Sequence, residues 1–77
     1  MLEVDIKQLL EGQLENCVAE VQMEGNHLNL VVISSQFSGL NPVKKQQLVY
    51  GILQPYIASG EVHAVNMKTL TPDQVGS

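Results

Sequence analysis

Residues 37–50 read FSGLNPVKKQQLVY, and this stretch decides how the chain folds. Asn41 has a side-chain carbonyl that can cap a helix. Pro42 suits the first helical position, because the N–H that proline lacks would have no partner inside the helix there. Gly39 provides a flexible turn just before the cap. The stretch therefore predicts a helix that starts at Pro42 and continues to about Ala58.

The predicted helix has one apolar side and one polar side. Pro55 removes the N–H that would reach the carbonyl of Gly51, so this pair predicts a kink. Gly51 also leaves a flat strip on the polar side, near Gln47, and we expect a partner protein to approach there. Lys44 and Gln54 complete the polar side, and the apolar side is formed by Leu48, Val49, Tyr50, Ile52, Leu53, Tyr56 and Ile57.

The segments before this helix predict a helix and a β-hairpin. Apolar residues at spacings of three and four indicate a helix over residues 2–14. Alternating apolar and polar residues indicate a strand over residues 17–24. Gly25 and Asn26 then predict a two-residue turn, because both residue types tolerate positive φ. Residues 27–34 follow as a second strand, whose almost continuous apolar run is typical of a central position or of burial on both faces.

The segments after the helix complete the predicted topology. Residues 61–68 indicate a third strand, and residues 71–73 indicate the start of a short terminal helix or turn. A strand that is joined to the next by a helical crossover normally pairs with it in parallel. We therefore predict one domain over residues 1–77, an α+β fold of order αββαβ(α). Its two layers are a three-stranded mixed sheet and the helices packed on one face of it.

Composition limits the function classes. The chain has 77 residues, a net charge of −4, four lysines and no arginine, which disfavours a strong nucleic-acid binder. Its single cysteine excludes an internal disulfide and is compatible with a reducing compartment. No apolar run reaches bilayer length. We expect a small acidic domain in the cytoplasm with no membrane contact.

Catalytic signatures are absent from the sequence. There is no glycine-rich phosphate loop, no Cys-x-x-Cys and no His-Glu-x-x-His. Cys17 and His27 flank the first predicted strand, which would separate them by about 23 Å. They are therefore not expected to form a nucleophile and base pair, and Cys17 is interpreted as a buried, unreactive thiol. The sequence predicts a binding protein, not an enzyme.

The two histidines are the best candidates for chemistry. His27 opens the second predicted strand, and His63 lies near the start of the third. If these strands are parallel, both starts lie at one edge of the sheet, and the two imidazoles become near neighbours. Imidazole is a good ligand for zinc, copper or iron, but two ligands make only half a site. The missing ligands would have to come from a partner.

Four motifs, taken together, resemble the BolA family. They are Phe37-x-Gly39, the run from Val43 to Gly51, Val62-His63-Ala64-Val65 and Leu70-Thr71-Pro72. The Val-Lys-Lys-Gln-Gln segment is similar to the bacterial YrbA/IbaG-type subgroup, where other members carry Arg-His-Arg. The resemblance spans nearly the whole chain. It implies a fold like that of a class II KH domain, which agrees with the predicted order of elements.

The resemblance implies an adaptor role in iron–sulfur cluster trafficking or iron sensing. In the family, a monothiol (Cys-Gly-Phe-Ser) glutaredoxin and glutathione supply thiolates to a shared [2Fe–2S] cluster. The BolA partner adds a histidine from its third strand, which here is His63. A second ligand in many members comes from the loop between the first two strands, where this sequence offers only His27. The isolated protein is expected to hold no cofactor and to be a monomer or a weak homodimer.

The resemblance also implies an alternative function. Some family members act as DNA-binding transcriptional regulators of stress or cell-envelope genes. Lys44 and Lys45, near the start of the long helix, could contact phosphates in that case. No Gly-x-x-Gly loop of the RNA-binding KH kind is present. With so few cations, we expect weak DNA binding at most.

Overall fold

The structure, a computed structural model, describes residues 2–75. Two long helices, three strands, one short 3-10 helix and a terminal helical turn follow one another along this part of the chain. Their bounds are α1 Leu2–Gln13, β1 Val18–Glu24, β2 His27–Ile33, the 3-10 helix Ser35–Phe37, α2 Pro42–Ala58, β3 Ala64–Leu70 and α3 Pro72–Val75.

Helix α2 has the bounds that the sequence predicts. The Asn41 side-chain oxygen accepts a hydrogen bond of 2.8 Å from the Lys44 N–H, and Pro42 occupies the first helical position. The helix continues past Pro55 and ends at Ala58, where Ser59 caps it. The predicted apolar side is wrong at Tyr50, whose side chain is exposed. Tyr50 lies about 100° around the helix from Val49 and about 60° from Leu53, the two α2 residues that are fully buried, so it stands at the margin of the buried side.

The three strands form one sheet in the order β1-β2-β3. β1 and β2 are antiparallel, with Glu24 opposite His27, and β2 and β3 are parallel, with His27 beside Ala64. The hairpin and the parallel crossover are therefore confirmed. The two-residue turn is also confirmed, and within it Gly25 has positive φ.

The predicted third strand is shifted at both ends. Residues 61–68 were expected, and the strand is Ala64–Leu70. The Val62 N–H donates to the Tyr56 carbonyl at 3.3 Å, which ties this residue to the end of α2 instead of to β2. Val62 is buried there. The chain therefore enters the sheet only after it has completed its return from the helix.

The core lies between the helices and one face of the sheet. In β2, Leu28, Leu30 and Val32 are buried while Asn29, Val31 and Ile33 are half-buried, so the strand is central without being covered on both faces. Phe37, in the 3-10 helix that the sequence analysis missed, is fully buried. Each such side chain contributes about 1.5–3 kcal/mol through burial. The remaining core residues are Ile6, Leu10, Leu14, Ala19, Val49, Leu53 and Val62.

Charged side chains of α1 bind the free edge of β1. The Lys7 Nζ donates to the Ala19 carbonyl at 2.7 Å and to Glu11 Oε2 at 2.9 Å. Glu11 Oε2 also accepts from the Ala19 N–H at 3.2 Å, and Glu3 Oε2 accepts from the Met23 N–H at 3.3 Å. These contacts satisfy backbone groups that an edge strand would otherwise present to another chain.

Within residues 2–75, none of the helices is both long enough and apolar enough to span a bilayer.

Candidate functional site

The backbone of His63 is held between α2 and the β1–β2 hairpin. The His63 N–H donates to the Asn26 carbonyl at 2.9 Å, which fixes it to the hairpin turn. One residue earlier, Val62 is buried in the core. Gly60, just after α2, has φ of +84°, a conformation that side chains disfavour and that reverses the chain after a helix. These contacts place an exposed histidine on a well-supported backbone.

The His63 imidazole lies over Gly60. A Cβ added at Gly60 would be 3.8 Å from His63 Nε2, which is ordinary van der Waals contact. Because Gly60 has no side chain, this side of the imidazole stays open to an approaching group. His63 itself is exposed. The ring therefore presents a nitrogen donor at the surface, next to the C-terminal end of α2.

His27 lies at the same edge of the sheet, on its outer face. The buried residues of β2 alternate from Leu28, so His27 points to the outer face, as does its partner Ala64. The His63 ring lies beside Gly60, just past the end of α2. The structure thus brings the two backbones together, as predicted. That the two imidazoles are near neighbours stays a prediction.

Cys17 is remote from both histidines. It precedes β1 at the end where Val18 pairs with Ile33, whereas His27 is at the opposite end of the hairpin. The thiol is half-buried rather than fully buried. Burial raises the pKa of the Cys17 thiol, and the Glu11 carboxylate raises it further, while Lys7 lowers it. A raised pKa means that less of the thiol is present as the nucleophilic thiolate.

Lys44 and Lys45 differ in how far they are exposed to solvent. Lys44 is exposed in the first turn of α2, and Lys45 is half-buried. The α2 N-terminus therefore offers one exposed lysine and one half-buried lysine.

Gln47 and Gly51 line a groove between α1 and α2. The groove also includes Pro55 of α2 and Leu9 and Gln13 of α1. A Cβ added at Gly51 would meet no described atom within 4 Å, so the strip is bare, as predicted. The contribution of α1 to this surface was not predicted.

Two features of the site were missed by sequence reasoning. One is the position of Gly60 beside His63, because in the sequence the Ser59-Gly60 pair indicates only the end of a helix. Leu9 and Gln13 were read as part of an ordinary amphipathic helix. Their four-residue spacing places both on one side of α1, but no local pattern shows that this side faces α2.

Comparisons with known proteins agree on one family. The family model described as BolA-like protein matches residues 7–74. The acid stress protein IbaG of Escherichia coli is 38% identical over 68 residues, which cover 88% of this chain and 81% of that protein. A BolA protein homologue from Coxiella burnetii has a TM-score of 0.81 at 32% identity, covering 96% of this chain and 95% of that chain. The BolA domain of SufE1 from Arabidopsis thaliana has a TM-score of 0.86 at 30% identity, with 95% and 94% covered.

Proposed function

This chain belongs to the BolA family, and from that membership we propose that it is an adaptor which binds a monothiol glutaredoxin and shares a [2Fe–2S] cluster with it. His63 is the ligand that this chain contributes, and the cluster is cargo in iron–sulfur trafficking or in iron sensing. The observation that carries the proposal is the exposed His63 imidazole, held on a fixed backbone beside Gly60, which has no side chain.

The metal-ligating side chains of this chain fit a site that is shared with a partner, not a site formed by this chain alone. Residues 2–75 contain no group of three or more His, Cys, Asp or Glu side chains that could hold a metal ion. His63 can supply one neutral nitrogen, and the remaining ligands must come from outside. The glutaredoxin and glutathione thiolates would fill that role. His27 remains a weaker candidate for a further ligand, because it lies on the outer face of the sheet, whereas the His63 ring lies beside Gly60.

The residues around His63 hold its backbone in place for binding a cluster. The hydrogen bond to Asn26 and the burial of Val62 limit movement of the backbone, so little ordering is needed when a partner binds. Replacing a thiolate by a neutral imidazole changes an all-sulfur environment into a mixed one. Such a change raises the reduction potential of an iron–sulfur centre.

A direct test mixes the pure protein with cluster-loaded monothiol glutaredoxin and records visible CD and EPR spectra. We expect the wild type to give a mixed nitrogen–sulfur spectrum. His63→Ala removes an exposed side chain, so it should fold, keep part of its affinity for the glutaredoxin and lose that spectrum.

His27→Ala is the matched control, because it removes the same chemical group at the same edge of the sheet. It should cause a partial loss at most. If the His63→Ala spectra equal those of the wild type, His63 is not a ligand and the proposal is wrong.

The alternative function, DNA-binding regulation of stress or cell-envelope genes, has less support. The uneven exposure of Lys44 and Lys45 provides little for a phosphate backbone to contact.

A further inference from the structure

The groove between α1 and α2 has an uncharged lining that is mostly apolar. Its volume is about 450 Å³, and Leu9 and Gln13 of α1 face Gln47, Gly51 and Pro55 of α2 across it. Leu48 and Ile52 also line it, and both pack against the core, so the floor is firm. A groove without a charged lining does not suit a phosphate or a metal ion. It suits an apolar side chain.

Gly51 and Pro55 are exposed residues of α2 that line this groove. Glycine inside a helix costs about 1 kcal/mol relative to alanine, yet a Cβ at Gly51 would contact nothing in the described part of the chain. No packing inside the molecule therefore accounts for glycine here. Pro55 has no N–H, so the Gly51 carbonyl lacks the donor that the residue four positions later normally supplies. An occupant of the groove can provide that donor.

The charge distribution selects the kind of partner. None of the eight acidic residues lies on α2, which carries two of the four lysines. A partner segment that bears carboxylates is therefore repelled by the rest of the surface and tolerated along α2. Lys44, one turn before Gln47 and Leu48, is available to such a carboxylate at the N-terminal end of the groove.

The groove also leads to the proposed ligand. Gln47, Gly51, Pro55 and Ser59 follow one another at intervals of four, so they form a strip along one side of α2. From Gly51 to Ser59 this strip is about 12 Å long. Ser59 precedes Gly60, over which the His63 ring lies. One rigid partner can therefore contact both the groove and His63.

We propose that this groove is the docking site of the glutaredoxin partner. The partner inserts an apolar side chain between α1 and α2, donates a backbone N–H to the Gly51 carbonyl and places a carboxylate near Lys44. The inference rests on the proposed function, because the protein that docks in the groove is the glutaredoxin whose cluster His63 ligates. The groove is a surface remote from His63. Affinity for the glutaredoxin depends on this surface, whereas coordination of the cluster by His63 does not.

Gly51→Leu tests the proposal, because its side chain fills the groove and covers the carbonyl. Titration calorimetry with cluster-loaded monothiol glutaredoxin should show a Kd at least tenfold weaker than that of the wild type. At saturating concentrations the CD spectrum should keep its mixed-ligand form, since His63 is untouched. Gln46→Leu is the matched control, because it adds the same side chain to an exposed position about 140° around the helix. Its Kd should stay within twofold of the wild-type value.

The outcomes separate this proposal from the function it rests on. If the wild type does not bind the glutaredoxin, both fail. If the wild type binds and Gly51→Leu binds equally well, the groove is not the docking site, and the His63 proposal stands. If Gly51→Leu does not fold, NMR spectra of the labelled wild type decide. Shifts at Leu9, Gln13 and Gly51 on addition of glutaredoxin support the proposal, and shifts confined to other residues overturn it. Shifts at these residues on concentrating the chain alone would make a second copy the occupant and would also overturn it.

Discussion

Gly51 and Gly60 lie in the middle and just past the end of α2, and they differ in backbone conformation. Gly60 has φ of +84°, where a side chain strains the backbone, while Gly51 has the ordinary conformation of a helix. The same substitution should therefore act in opposite directions at the two positions.

Gly60→Ala should lower the free energy of unfolding by about 1–2 kcal/mol, because alanine disfavours positive φ. The added methyl group would only touch His63 Nε2, so the cost lies in the backbone rather than in a clash. Gly51→Ala is the control and should raise the free energy of unfolding by up to about 1 kcal/mol. Urea unfolding of both variants measures the two changes, and a shift of the same sign in both would contradict this account.

The orientation of the histidines shows where prediction from sequence ends. The sequence placed His27 and His63 at one edge of the sheet, and they are there. It could not fix the register, which pairs His27 with Ala64 instead of His63. An offset of one residue moves a side chain to the other face of a sheet. No local pattern determines such an offset, because hydrogen bonds between distant segments set it.

The elements differ in how far local sequence determines them. The predicted bounds of α2 agree with the structure, because Asn41 and Pro42 at its start act through neighbouring atoms. The predicted start of β3 does not, because the bond from Val62 to Tyr56 delays it. The attachment of α1 to the edge of β1 was also missed. Glu3, Lys7 and Glu11 recur every four residues, but this spacing is equally typical of a solvated helix face.

This attachment should make stability depend on pH through Glu11. The Lys7 ammonium first, and the Ala19 N–H second, hold the pKa of Glu11 below its ordinary value of 4.5. A pKa that is lower in the folded state stabilises the fold above the ordinary value, and this stabilisation is lost as the pH falls through the lower, folded-state value. Glu11→Gln should therefore reduce the free energy of unfolding by about 0.3–1 kcal/mol at pH 7. The difference from the wild type should shrink at more acidic pH.

Urea unfolding between pH 7 and pH 3 measures this dependence. Glu15→Gln is the matched control, because it removes the same charge from an exposed position. Among the described contacts, the Glu15 carboxylate has no hydrogen bond. If the two variants lose equal stability at pH 7, the contacts of Glu11 with Lys7 and Ala19 contribute nothing measurable.

The charges of the whole molecule are unevenly distributed. The net charge is −4, and α2 carries two lysines and no acidic residue, so all eight carboxylates lie elsewhere. This segregation gives α2 the surface most favourable to an acidic partner. It gives little support to a nucleic-acid interface, because affinity for DNA grows with the number of phosphates that cations neutralise, and this helix carries only an exposed Lys44 and a half-buried Lys45.

We therefore expect only weak DNA binding that does not distinguish sequences. In a fluorescence-anisotropy titration near physiological salt, the Kd for duplex DNA should exceed about 10⁻⁶ M, the tighter limit of ordinary non-specific binding. Any binding seen at low salt should weaken with a shallow dependence on salt, because few counterions are released. Lys44→Gln should reduce that dependence, whereas Lys68→Gln, on the outer face of the sheet, should not. Sub-micromolar binding that prefers one DNA sequence over another would instead make transcriptional regulation the primary function, because a carboxylate-rich surface reaches such affinity only through a dedicated DNA site.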